Sequence, residues 1–191
     1  MEQRIPATVL RTVPYDQMVR NLFKQMGSKE ASFLHAAIGI SGETAELLVA
    51  DSIENIVEEL GDMEFYVEAG YQALGGRRSA LADGLVLDGS DPAQHQVLGT
   101  VTIAMSTTAG RLLDLAKKGW VYNKPIDDNA ECALRYELMR LEVMMEQLLD
   151  MVGVRRPDVL RANQQKLGKR YPDGVYTDQA AQVRADKPDG E

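Results

Sequence analysis

An all-α helical bundle is the fold class that this sequence predicts. Apolar residues recur at helical spacing over most of its 191 residues. No stretch alternates apolar and polar residues as a half-buried strand would, and helix start and stop residues fall where the periodic stretches begin and end. With 45% hydrophobic residues the chain is long and apolar enough to bury a sizeable core.

The elements follow in order. A proline-bounded leader, residues 1–13, precedes a helix over 14–26. A second helix over 29–50 starts at Ser28, a residue whose side chain can cap the first turn. Its apolar stripe runs through Phe33, Ala36, Ile40 and Leu47, with Glu43 inside the stripe and Glu46 at its border. A third helix over 53–74 carries the stripe Ile53, Ile56, Val57, Leu60, Met63, Val67, Tyr71 and Leu74, and Gly75-Gly76 stops it. Residues 75–94, with four Gly, one Pro and several Asp, read as a connection between two halves. Helices over 94–118, 128–152 and 157–168 follow, the last opened by a first-turn proline, Pro157. The bundle domain is thus placed at 14–170, and 171–191 reads as a polar, turn-rich tail that is disordered or wraps a neighbour.

Two carboxylate pairs, Glu43-x-x-Glu46 and Glu59-x-x-Asp62, stand on successive helices with 12 residues between them. Residues three apart share a helix face, so each pair can aim two oxygens at one point. Glu59, Asp62 and Tyr66 fall on one flank of their helix, which can face the first pair. A single such pair in a chain with 29 acidic residues is ordinarily a solvated surface. Two pairs, one of them interrupting an apolar stripe, argue for a magnesium site, because uncompensated carboxylates in a helix interface are costly and a hard cation neutralises them. The small residues Gly39, Gly42 and Gly61 would let helices or a ligand come close.

Charge and composition exclude several classes. A net charge of −8 argues against nonspecific binding to nucleic acid or anionic membrane, but not against a phosphorylated ligand bridged by a metal. No apolar run approaches the roughly 20 residues of a membrane span, and the first residues lack a signal-peptide core, so a cytoplasmic protein is expected. The one cysteine, Cys132, rules out an internal disulfide and reads as a buried small residue. His35 and His95 lack the Glu three residues before them that a di-iron bundle needs.

The halves also invite comparison. A shift of 78 residues superposes Glu59-Leu60, Glu64, Glu68 and Gly75 on Glu137-Leu138, Glu142, Glu146 and Gly153, and Thr44-Ala45 with Leu48 match Thr108-Ala109 with Leu112. Internal duplication into two helix pairs is one explanation; the ready resemblance of amphipathic helices is the other. In the second copy Thr107 and Gly110 replace Glu43 and Glu46, and Arg140 replaces Asp62.

SGETAELL followed by IVEELGDMEFYVEA resembles the all-α nucleoside triphosphate pyrophosphohydrolases of the MazG-like group, whose signature is ExxE, a gap, then ExxD. KKGWVYNKPIDD at 117–128 and RANQQKLGKRYPDGVYTDQAAQVRADK at 161–187 resemble segments of phage-encoded members. The first of these departs from the pattern by lying in the second half and not between Glu46 and Glu59, which suggests a fused or duplicated variant. The resemblance implies hydrolysis of a nucleoside triphosphate to monophosphate and pyrophosphate by a homodimer or homotetramer, in the host cytoplasm if phage-encoded. It implies Mg2+ (Mn2+ substituting) on Glu43, Glu46, Glu59 and Asp62, with Glu58 or Glu59 orienting the water. Asn163, Lys166 and Arg170, together with Lys117 and Lys118, are then candidates for the phosphates, and Tyr66, His35 and Trp120 for the base. The rival reading is a non-catalytic helical interaction protein whose acidic pairs decorate its surface and whose nine methionines supply adaptable packing.

Overall fold

The computed structural model describes residues 13–76 and 98–186. Among the described residues the secondary structure is helical, as the sequence predicts: α1 (Tyr15–Leu22), α2 (Lys29–Val49), α3 (Ile53–Ala73), α4 (Leu98–Trp120), α5 (Asp128–Val152), α6 (Arg156–Arg170) and α7 (Asp178–Val183). The leader up to residue 12, the connection over 77–97 with His95, and residues 187–191 lie outside the described residues.

Local chemistry sets the helix ends. Ser28, Ser52 and Asp127 cap α2, α3 and α5 by accepting from the amides of Ala31, Asn55 and Ala130, which satisfies donors that a helix start leaves unpaired. Gly75 and Gly153, at φ +71° and +70°, end α3 and α5 in the left-handed conformation that a Cβ disfavours. Pro157 opens α6.

Helices α2, α3, α5 and α4 form the four corners of a bundle, with α3 diagonal to α4 and α2 diagonal to α5. Phe33, Ile40 and Leu47 of α2 meet Leu60, Met63 and Val67 of α3, Met105 and Leu112 of α4, and Leu134, Leu138 and Met145 of α5 in one core. Helices α1 and α6 lie against α3. A second, smaller core joins Met18, Val19, Leu22 and Phe23 to Ala36, Ala69, Leu167 and Tyr171. Two buried glutamates are paired: Arg156 grips Glu64 at 2.7 and 3.2 Å, and Tyr71 donates to Glu142 at 2.7 Å, as buried charge requires.

Several expectations are corrected. Helix α1 ends four residues early, because Phe23 turns extended (φ −77°, ψ 121°) and its ring enters the second core. Ile53 leaves the predicted α3 stripe and is 50% exposed, at the first turn beyond the bundle. Cys132 is exposed, not buried; it stands two residues before Leu134, on the opposite side of α5 from the core-facing row. Helix α6 runs on to Arg170. The segment after it is no free tail: Tyr176 N–H donates to Asn21 O at 3.1 Å, and α7 follows, capped by Thr177.

The proposed superposition of the halves fares unevenly. Leu60 and Leu138 are both fully buried, Glu64 and Glu142 nearly so, and both strings end at a left-handed glycine. Between α2 and α4 the match is poorer, since Leu48 is 43% exposed and Leu112 is fully buried.

Candidate metal and phosphate cleft

The acidic pairs meet at the outer edge of α2 and α3. Carboxylate oxygens of Glu43, Glu46 and Glu59 lie within 4.8 Å of one another, and they line a cleft of about 360 Å³ together with Glu58, Asp62, His35, Tyr66, Lys166 and Arg170. Nine residues singled out from the sequence therefore share one cavity. Helix α6 forms its roof, because its contact with α3 brings Lys166 and Arg170 over the carboxylates.

Asp62 behaves differently from the three glutamates. Asn163 Nδ2 donates to its Oδ1 at 2.8 Å, and the Lys166 ammonium contacts its Oδ2 and reaches Glu58 at 2.9 Å. Tyr15 in turn donates to Asn163 Oδ1 at 2.8 Å. An ionised carboxylate only accepts, so this chain fixes which end of the Asn163 amide faces Asp62. The predicted four-carboxylate cluster is thus three converging glutamates and one aspartate held from α6. Asn163 is 3% exposed and lies behind the cleft wall; a Cβ on Gly61 would stand 3.0 Å from its own Cβ. Gly39 likewise accepts the Tyr66 ring so closely that a Cβ would collide with it, whereas Gly42 faces open space.

The electrostatics mark the cluster as short of cations. Burial, then the charges of Asp62, Glu46 and Glu59, push Glu43 up to about 8. Burial and the same neighbourhood raise Glu59. Burial alone would lower Lys166, but Asp62 and Glu58 outweigh it and hold the ammonium above its ordinary value. Oxygen ligands with no His or Cys among them suit a hard divalent cation such as Mg2+ or Mn2+, and a cluster whose members resist simultaneous ionisation gains most from one. Glu43, Glu46 and Glu59 could thus hold a metal ion.

Aromatic rings line the same cleft. Phe23 stacks on His35 at a centroid distance of 4.4 Å, and Tyr66 stands edge-on to Phe23, His35 and Phe65. His35 Nδ1 meets the Lys24 carbonyl at 3.1 Å; a carbonyl only accepts, so Nδ1 carries the proton. Burial holds this imidazole below its usual range, which leaves Nε2 an acceptor. Burial, then Glu43 and Asp62, push the Tyr66 hydroxyl up to about 12.

Three predicted residues are not brought here. Lys117 and Lys118 bind Asp114 at 2.8 and 2.7 Å on the outside of α4, and Trp120 is 50% exposed at the tip of the α4–α5 hairpin. Their helix is diagonal to α3, which carries half the carboxylates. Sequence reasoning missed Phe23, Lys24, Phe65 and Arg184 as cleft residues. Two of the chain's three phenylalanines in one cleft would have been a signal, had the early end of α1 been visible.

Neither protein-family models, curated proteins nor solved structures give a match to this chain, so the resemblance to the pyrophosphohydrolases rests on the quoted motifs.

Proposed function

We propose that this protein hydrolyses a (deoxy)nucleoside triphosphate to the monophosphate and pyrophosphate with Mg2+, in nucleotide-pool control or phage nucleotide metabolism. The observation that carries the reading is the convergence of Glu43, Glu46 and Glu59 beside Lys166 and Arg170 in a cleft also lined by aromatic rings. Acidic oxygens for a metal, basic groups for phosphates and rings for a base share one cavity.

Glu43, Glu46 and Glu59 would hold the metal, with Asp62 completing the set once Lys166 moves to phosphate. The bound Mg2+ supplies charge neutralisation and a more acidic water. Glu58, released when Lys166 moves to phosphate, or Glu59 orients the attacking water. Lys166 and Arg170 bind phosphate oxygens and stabilise charge on the departing pyrophosphate. Tyr66 and Phe23 offer faces to the base, and His35 Nε2 accepts a hydrogen bond from it. Which bond breaks follows from the motif resemblance; homodimeric or tetrameric assembly likewise belongs to the proposal.

Incubation with each ribo- and deoxyribonucleoside triphosphate plus Mg2+, followed by product identification, tests it. Monophosphate plus pyrophosphate is expected, and diphosphate plus orthophosphate would contradict it. No turnover, with Mg2+ or Mn2+ leaving the melting temperature unchanged, would favour the non-catalytic interaction protein.

A further inference from the structure

We propose that residues 176–186 form a displaceable strap that inhibits the cleft in the empty protein, its Asp178 and Asp186 carboxylates occupying the basic groups Lys24 and Arg170 until a polyphosphate takes their place. The inference rests on the reading of the cleft as a polyphosphate site and adds its regulation.

The strap is anchored chiefly by anions. Asp186 takes the Arg170 guanidinium in a two-point fork, Nε to Oδ1 at 2.6 Å and Nη2 to Oδ2 at 2.5 Å, with the Asp186 side chain 1% exposed. Asp178 binds Lys24 at 2.6 Å. Both cations line the cleft, as do Tyr176, Ala181 and Arg184 of the strap itself. A guanidinium fork accepts a carboxylate and a phosphate in the same planar geometry, so Asp186 and a phosphate compete for Arg170.

The other attachments lie at the strap's root, where Tyr171 is buried in the second core and Tyr176 N–H donates to Asn21 O. Beyond that root the hold is slight: helix α7 buries none of its residues, and only Ala180 and Ala181 pack partly on the second core. The Lys24–Asp178 pair is exposed on both sides, where an ion pair adds little. Returning the chain to Arg170 also places Arg184 at φ +47°, a left-handed conformation that a residue with a Cβ adopts at a cost. The largely buried Arg170–Asp186 fork is therefore the principal fastening, and an anion that competes for Arg170 undoes it.

Hydrogen–deuterium exchange over 176–186 in the full-length protein, with inorganic pyrophosphate and Mg2+ as the probe, tests this. In the ligand-free state Asp186→Asn should speed exchange of the strap roughly tenfold while α2 and α3 stay protected. Pyrophosphate should speed it in the native protein, and Asp186→Asn should bind pyrophosphate about tenfold tighter, because the closed population no longer competes. Asp178→Asn with Asp186→Asn should extend both effects. Unchanged strap exchange in Asp186→Asn, pyrophosphate that binds without opening the strap or fails to bind, or weaker binding by the variant would each overturn the proposal. Turnover separates this from the nucleotide reading. Triphosphate hydrolysis with a strap that pyrophosphate leaves shut defeats the strap alone; a strap that pyrophosphate opens in a protein that hydrolyses no triphosphate defeats the nucleotide reading alone.

Discussion

The outer edge of α2 and α3 and the outer edge of α4 and α5 occupy corresponding places on the bundle, yet one concentrates charge and the other disperses it. On the first, Glu43, Glu46 and Glu59 converge under a roof that brings Lys166 and Arg170. On the second, Thr107, Gly110, Arg111, Asp114 and Glu137 line a more open depression of about 430 Å³, and Arg140 closes on Glu137 at 2.9 Å. The core beneath is alike, with Leu60 and Leu138 equally buried. The scaffold therefore does not make the site. Ligand-bearing side chains on the helix edge and a covering helix make it, and α6 lies against α3.

The sharpest break of this comparison is an exchange of charge for amide on each edge. Glu43→Gln, Glu46→Gln and Glu59→Gln should each lower triphosphate hydrolysis by on the order of 10³, the scale of losing a metal's charge stabilisation, and should weaken Mn2+ binding measured by electron paramagnetic resonance. Glu137→Gln, which keeps the side chain's size beside Arg140 and lies outside the proposed cleft, should leave both within about twofold. Equal losses on the two edges would mean that charge alone, not convergence, governs activity.

Lys166→Met comes next. Losing a charge-assisted contact to phosphate should raise KM about 10- to 100-fold, while Mn2+ affinity holds or improves because Asp62 is released. Arg140→Met, which removes the corresponding cation from the other edge, should change neither constant. A Lys166→Met protein that binds Mn2+ more weakly would show that the ammonium supports the carboxylates rather than competing for them.

The contrast between the edges was half legible in the sequence. Glu43, Glu46, Glu59 and Asp62 could be placed because α2 and α3 are consecutive, joined by a three-residue turn, so helical periodicity and one short connection fix their relation. The diversion of Asp62 to Asn163 and Lys166 could not be, since these stand 101 and 104 residues away and only tertiary packing brings α6 to α3. Lys117, Lys118 and Trp120 were drawn in by motif and not by geometry, and packing sends them to the far side of α2. The strap reads as a polar tail, disordered or wrapped on a neighbour, because beyond Tyr171 its sequence satisfies charges on the bundle more than it buries apolar surface.

A smaller and distinct effect is the pH dependence of stability without metal. Glu43 titrates near 8 in the folded chain and near 4.5 when unfolded, and Glu59 is raised in the same direction. The folded state thus binds more protons across that interval, so their contribution is fully present below about pH 4.5 and is lost as pH rises through 8. Thermal melts in chelator should show the melting temperature falling from pH 5 to pH 8. Glu43→Gln should flatten that fall, and saturating Mg2+ should reverse part of it by favouring the ionised cluster. A metal-free protein whose stability rises over this interval would contradict the crowding of the carboxylates.

The least effect expected comes from farthest out, at Tyr15 on α1. Its hydroxyl donates to Asn163 Oδ1, which leaves the amide nitrogen to face Asp62. Tyr15→Phe removes the group that fixes this orientation, and loss of one neutral hydrogen bond is worth about 1 kcal/mol, or roughly fivefold in Mn2+ affinity. Partners that orient a metal ligand are felt through the ligand, so the change should appear in the metal dissociation constant and not in KM measured at saturating metal. Asn163→Asp, which sets a second carboxylate against Asp62, should weaken Mn2+ binding if it forces Asp62 out of place and strengthen it if the new oxygen reaches the cluster. A Tyr15→Phe protein with unchanged Mn2+ affinity would show that packing of α6 on Gly61 orients Asn163 without help from α1, and that the roof alone separates the two edges.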